Sequence, residues 1–102
     1  SPPYYDWEKY SDEDTQSYMK YPTREEWLNG FLFDTIKNCY HGLKPGGILA
    51  MNVADTKRIK NFEVETIRLA LENGFKQIDT WYLQLSSQTG SPKYESIFIF
   101  KK

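Results

Sequence analysis

Leu43-Lys44-Pro45-Gly46-Gly47-Ile48-Leu49-Ala50-Met51-Asn52-Val53-Ala54-Asp55 is the stretch that decides the fold. Pro45 cannot continue a helix and Gly46-Gly47 suits a tight backbone, so Lys44 to Gly47 reads as a turn that ends one helix and opens a strand. Ile48 to Val53 is a short apolar run, the pattern of a central parallel strand buried on both faces. The glycine pair is too short, and wrongly placed, to cradle a phosphate. In open α/β sheets ligands gather beyond the carboxyl ends of strands. Asn52 and Asp55 are therefore candidate substrate-binding residues, against the plainer reading of strand-ending and helix-capping residues.

Upstream, Thr23-Arg24-Glu25-Glu26 has the form of a capping box, with Pro22 just before it. Trp27, Leu28, Phe31, Leu32, Ile36, Cys39 and Tyr40 then recur at three- and four-residue spacing and make one apolar helix face, suited to packing on a sheet. Cys39 lies on that face and reads as a core thiol rather than a nucleophile. His41 falls near the helix end, where a cation is mildly favoured. No acid or nucleophile at a recognisable spacing gives it a catalytic partner.

Downstream, Thr56-Lys57-Arg58-Ile59-Lys60 is the compact basic cluster, and Lys57, Arg58 and Lys60 read either as phosphate contacts or as a solvated loop. A second helix is expected over Phe62 to Glu72, with Ile67, Ala70 and Leu71 as its apolar stripe and Asn73-Gly74 as its stop. Phe75 to Leu85 reads as a strand, Ser86 to Pro92 as a polar loop and Tyr94 to Phe100 as a further strand, together an antiparallel pair.

The 102 residues suffice for one modest core. Aromatics make up 17% of the chain, yet the mean hydropathy is −0.70, and no apolar run approaches the ~20 residues of a membrane-spanning helix. A single cysteine excludes an internal disulfide and a cysteine-based zinc site, and makes an intracellular setting the default expectation. The net charge of −1 is poor for a stand-alone nucleic-acid clamp, which normally shows a basic face.

The chemistry-bearing motif is Ser1-Pro2-Pro3-Tyr4. Its two prolines fix φ near −65°, remove backbone donors and push the preceding residues toward extended geometry. A stiff frame of acceptors beside a flat ring suits an amino group on a stackable base. Ser1-Pro2-Pro3-Tyr4 resembles the catalytic motif of class I S-adenosylmethionine-dependent methyltransferases that act on exocyclic amino groups, where an Asp, Asn or Ser precedes Pro-Pro and an aromatic residue. The serine form is most typical of the DNA cytosine-N4 enzymes. Leu43 to Leu49 is similar to the Leu-Lys-Pro-Gly-Gly segment before the fifth strand of that fold. The resemblance spans nearly the whole chain, with motif-level support at residues 1–4 and 43–55.

That resemblance implies the C-terminal half of a Rossmann-like α/β fold: catalytic turn, helix, strand, helix and two antiparallel strands. It implies that Ser1, Pro2, Pro3 and Tyr4 form the catalytic turn. Ser1 and the Pro2 carbonyl would accept the hydrogens of a cytosine or adenine amino group, which attacks the sulfonium methyl in line. Tyr4 would stack on a base that has left the duplex. Residues 5 to 22, with Tyr5, Trp7, Tyr10, Tyr18 and Tyr21 among acids, are then either surface aromatics covering the next helix or a lid over that base. The cofactor's Gly-rich loop and acidic ribose partner have no counterpart in the chain. The chain thus reads as a fragment that lacks the N-terminal, cofactor-binding half of its domain, is inactive alone and meets DNA through its parent protein. Such a piece would expose the edge of Ile48 to Val53 and self-associate, aggregate or be held by a partner. Two further readings stand beside this one: amino-methyl transfer to RNA or protein, and a non-catalytic methyltransferase-like or WW-binding module, because Pro2-Pro3-Tyr4-Tyr5 also fits a WW ligand.

Overall fold

The computed structural model of the chain describes residues 1–2, 23–55, 61–85 and 93–102. Over these residues the chain is mixed α/β. Helix α1 (Arg24–Glu26), a π-helical segment (Trp27–Leu32) and α2 (Phe33–Gly42) follow one another directly, then come β1 (Ile48–Val53), α3 (Phe62–Glu72), β2 (Lys76–Leu85) and β3 (Lys93–Lys101). The strands form one antiparallel sheet in the order β1-β3-β2, so the last strand lies between the two earlier ones. The expected antiparallel pair at the chain end is present, with Phe75 in the core rather than in the strand. No helix among the described residues is long and apolar enough to cross a membrane.

The helical stretch begins as its capping box requires: Thr23 is extended, and its hydroxyl accepts from the Glu26 N–H at 3.1 Å. The π-helical segment was not expected, and the spacing explains it. Leu28, Leu32 and Ile36, all buried, repeat every four residues. At 3.6 residues per turn such a row drifts by about 40° per step in an α-helix. The Phe33 N–H bonds to the Leu28 carbonyl, an i to i+5 closure, and this wider turn keeps the three side chains nearly in line. Trp27 anchors the segment, its ring centroid 5.5 Å from that of Phe62 on α3 and 5.6 Å from that of Phe31.

The turn into β1 is a type II turn. The Gly47 N–H bonds to the Lys44 carbonyl at 2.8 Å, with Pro45 at the first central position and Gly46 at φ +82° at the second. A Cβ on Gly47 would lie 2.9 Å from the Lys44 carbonyl oxygen. Lys102 ties the turn to the end of β3. Its N–H bonds to the Gly47 carbonyl, its carbonyl accepts from Gly46, and its ammonium donates to the Leu43 carbonyl while lying 4.7 Å from the Tyr40 ring centroid.

β1 departs from the expected central parallel strand buried on both faces. It runs antiparallel to β3 at one edge of the sheet. Leu49, Met51 and Val53 share a face with Phe98 and Phe100, and this face meets the helices, whereas Ile48 and Ala50 on the other face are exposed. The described helices supply one covering layer, so alternate residues of β1 are buried.

Helix α3 matches its expected span, but its stripe is Phe62, Thr66, Leu69 and Ala70, with Ile67 half-buried and Leu71 exposed. The buried Thr66 hydroxyl donates to the Phe62 carbonyl, which satisfies it. Asn73-Gly74 ends α3 in a Schellman motif. The Phe75 N–H bonds to the Ala70 carbonyl and that of Gly74 to the Leu71 carbonyl, with Gly74 at φ +103°. Phe75 then packs edge-on against Tyr40, centroids 5.1 Å apart.

Candidate functional site

Pro2 is buried and Ser1 is exposed, and both border a half-open cavity of about 280 Å3 between the helical stretch and β1. Phe31, Thr35, Ile36 and Cys39 line its helix side, and Leu49, Ala50 and Met51 line its strand side. The start of the motif and the middle of β1 thus border the same cavity. Three lining positions follow from the sequence pattern: the apolar face delivers Phe31, Ile36 and Cys39, the last half-buried, as a core thiol would be. Thr35 was not singled out from the sequence. Its hydroxyl donates to the Phe31 carbonyl at 2.7 Å, a local bond that occupies it within the helix.

The rim residues proposed from β1 have structural partners. The Asn52 side-chain amide donates to the Ser96 carbonyl at 3.2 Å, across to β3. Asp55 Oδ1 accepts from the Glu63 N–H at 2.9 Å and so caps the start of α3, where Asn61 stands in the left-handed region at φ 60°. An Asp at the approach to a helix was the available signal, and the capping reading accounts for the observed bond. Pro3, Tyr4, Lys57, Arg58 and Lys60 lie outside the described residues, as does the stretch from residue 5 to residue 22. Asn52 and Asp55 are therefore near one another in the chain, but the structure does not join them to Ser1 and Pro2 in one cluster: of the four described candidate residues, Ser1 and Pro2 border the cavity and Asn52 and Asp55 do not.

His41 is exposed at the end of α2, its ring edge-on to Tyr40 at 5.8 Å. Among the described residues no group of three His, Cys, Asp or Glu side chains is placed to hold a metal. The described residues do not by themselves fit S-adenosylmethionine either: the two polar side chains near the carboxyl end of β1 are already bonded to backbone, and the cavity beside Ser1 and Pro2 is lined chiefly by carbon. On α3, hydrogen bonds to Glu65 and then to Glu72 hold the Arg68 guanidinium above its ordinary value, and this exposed triad belongs to the helix surface. Set against family models, curated proteins and solved structures, the chain matches none of them.

Proposed function

We propose that this chain is part of an S-adenosylmethionine-dependent methyltransferase acting on the exocyclic amino group of a DNA base, cytosine N4 or adenine N6. The observation that carries the proposal is the Ser1-Pro2-Pro3-Tyr4 motif standing ahead of one particular element order: amphipathic helix, Pro-Gly-Gly turn, strand, helix and two antiparallel strands. The type II turn at Lys44–Gly47 and the antiparallel β2–β3 pair support it. Burial of Pro2 counts against the WW-ligand alternative, because a groove-binding proline must be accessible.

In this proposal the chain's own residues position and hold the base. Ser1 and the Pro2 carbonyl accept the two amino hydrogens, and the prolines keep that frame from adapting to solvent instead. Tyr4 stacks on the extruded base, a contact worth ~1–3 kcal/mol. This hydrogen bonding requires no base to take a proton before methyl transfer; the extra proton of the methylated amino group leaves afterwards. Cofactor binding is assigned to residues outside this chain.

The test is methyl transfer by the complete protein that carries this chain, with labelled S-adenosylmethionine and mixed-sequence DNA, followed by digestion to nucleosides. Label in N4-methylcytosine or N6-methyladenine is the expected result. A folded, cofactor-bound protein that leaves DNA unlabelled overturns the proposal, and label in RNA or protein would redirect it to those substrates.

A further inference from the structure

β1 and β2 both run antiparallel to β3, so their carboxyl ends point the same way, toward the start of α3. Ligands of open α/β sheets gather at that end. There β1 stops at Val53, opposite Ser96, whereas β2 and β3 stay paired for three further residues each, Leu83 to Leu85 and Lys93 to Glu95. At about 3.4 Å per residue, the hairpin overhangs β1 by about 10 Å. Directly opposed residues share a face, and neighbours along a strand alternate. The helix-side face therefore continues through Tyr82 and Ser96 to Gln84 and Tyr94, and the far face through Leu83, Leu85, Lys93 and Glu95. Tyr82 is 69% exposed and Tyr94 58%, and among the described residues no ring contact or side-chain hydrogen bond engages either.

We infer that Tyr82 and Tyr94 form a stacking platform for an unpaired nucleotide of the DNA strand. They are diagonal neighbours on one face, a separation of about 7–8 Å, so one nucleotide reaches both rings. A tyrosine face stacks on any base, and the amide of Gln84 beside them can both donate to and accept from a base edge. This face of the overhang carries no carboxylate to repel a phosphate, and its aliphatic residues, Leu83 and Leu85, are on the other side. The basic run Lys57, Arg58 and Lys60 lies outside the described residues. Asp55 and Asn61, which bound it in sequence, both stand at this end of the sheet, so cations for the phosphates are tethered here. The inference rests on the reading of the chain as part of a DNA methyltransferase, and it adds a DNA contact separate from the motif at residues 1–4.

Fluorescence anisotropy of a labelled, mixed-sequence single-stranded DNA titrated with the complete protein tests it without any methyl transfer. Tyr82→Ala and Tyr94→Ala are each expected to weaken binding about fivefold to a hundredfold, the range of one lost stack. Tyr82→Phe and Tyr94→Phe keep the ring and are expected to bind nearly as the parent does, as is Trp81→Ala on the far face. Both tyrosines are exposed, so the thermal unfolding of each variant is expected to match the parent. A parent that does not bind the DNA overturns the inference. So do alanine variants that bind like the parent, or phenylalanine variants as weak as the alanine ones. Transfer of labelled methyl to DNA, measured in parallel, separates this inference from the proposal it rests on. Transfer by the parent with unchanged binding in the alanine variants overturns the platform alone. Weakened binding in those variants without transfer by the parent supports the platform and sinks the methyltransferase.

Discussion

The two edges of the sheet carry similar amounts of apolar sequence and fare differently. At β1, alternate residues dock on the helices, and the strand is as regular as its partner. At β2 most residues are exposed along the full length, Trp81 at 57% and Tyr82 at 69% among them. The bulge at Ile78 accounts for much of this. Gln77 opposes Phe100 on the helix side, and without the extra residue Trp81 would fall on that side as well. With it, Trp81 opposes Ile97 on the far face, where its indole N–H bonds to Asp79 at 3.0 Å. The inserted residue thus turns Trp81 and Leu83 away from the core, whereas Tyr82 opposes Ser96 on the helix side and is exposed all the same. Apolar content does not decide burial: register sends Trp81 to the far face, and a helix-side position by itself does not bury Tyr82.

The largest expected effect breaks or sharpens that contrast directly. Trp27→Ala, at a fully buried ring packed on the equally buried Phe62 and the half-buried Phe31, is expected to lower unfolding stability by about 3–5 kcal/mol in a denaturant titration. Trp81→Ala on β2 is expected to stay within about 0.5 kcal/mol of the parent. Equal losses at the two tryptophans would mean that the far face of β2 is covered, and the contrast would fail. Next in size, Gly74→Ala is expected to cost about 1–3 kcal/mol, since its φ of +103° is strained for alanine and the new methyl would meet the Tyr40 ring at 3.0 Å. Pairing it with Tyr40→Leu separates the two causes: relief in the double variant assigns the loss to the ring, and no relief assigns it to the backbone.

Two caps come next. Thr23→Ala and Asp55→Ala each remove an acceptor for a helix-start N–H, and each is expected to cost about 1 kcal/mol. Asp55→Ala also serves the functional question. If Asp55 acts mainly as the α3 cap, Asp55→Asn keeps most of the stability because its side-chain oxygen still accepts. The smallest effect is expected at Arg68→Ala, within about 0.5 kcal/mol despite contacts at 2.6 and 2.7 Å to Glu65 and Glu72, because all three groups are solvated. A loss comparable to Gly74→Ala there would show the triad to be shielded from solvent.

Much of the α-helical structure was legible because its signals are local. The Thr23 box, the span of α3 and the Asn73-Gly74 stop each lie within a few residues of the bonds that realise them. The π-helical segment was written in the four-residue repeat of Leu28, Leu32 and Ile36, but a reading that accepts three- and four-residue spacing alike passes over it. The half-bare state of β1 was not legible, because an apolar run of six residues does not say whether one layer or two will cover it. Nor was the role of Lys102, whose partners Leu43 and Gly47 are distant in sequence. For the site, the stiffness of Ser1-Pro2 could be read from proline chemistry, whereas its place on the same cavity as Leu49, Ala50 and Met51 is a long-range arrangement with no local signature. The bonds of Asn52 and Asp55 were foreshadowed by their ordinary strand-end and capping preferences.

The most direct test of the functional account sets Tyr4 against Trp81 in the complete protein. Both are aromatic, and only Tyr4 belongs to the proposed base-holding motif. Transfer of labelled methyl from S-adenosylmethionine to DNA would be measured for the parent, Tyr4→Ala and Trp81→Ala. The account expects Tyr4→Ala to lower transfer by about tenfold to a hundredfold, the equivalent of one lost base stack, with Trp81→Ala near the parent rate. Equal rates for the parent and Tyr4→Ala, or no transfer to DNA by any of the three folded proteins, would contradict it.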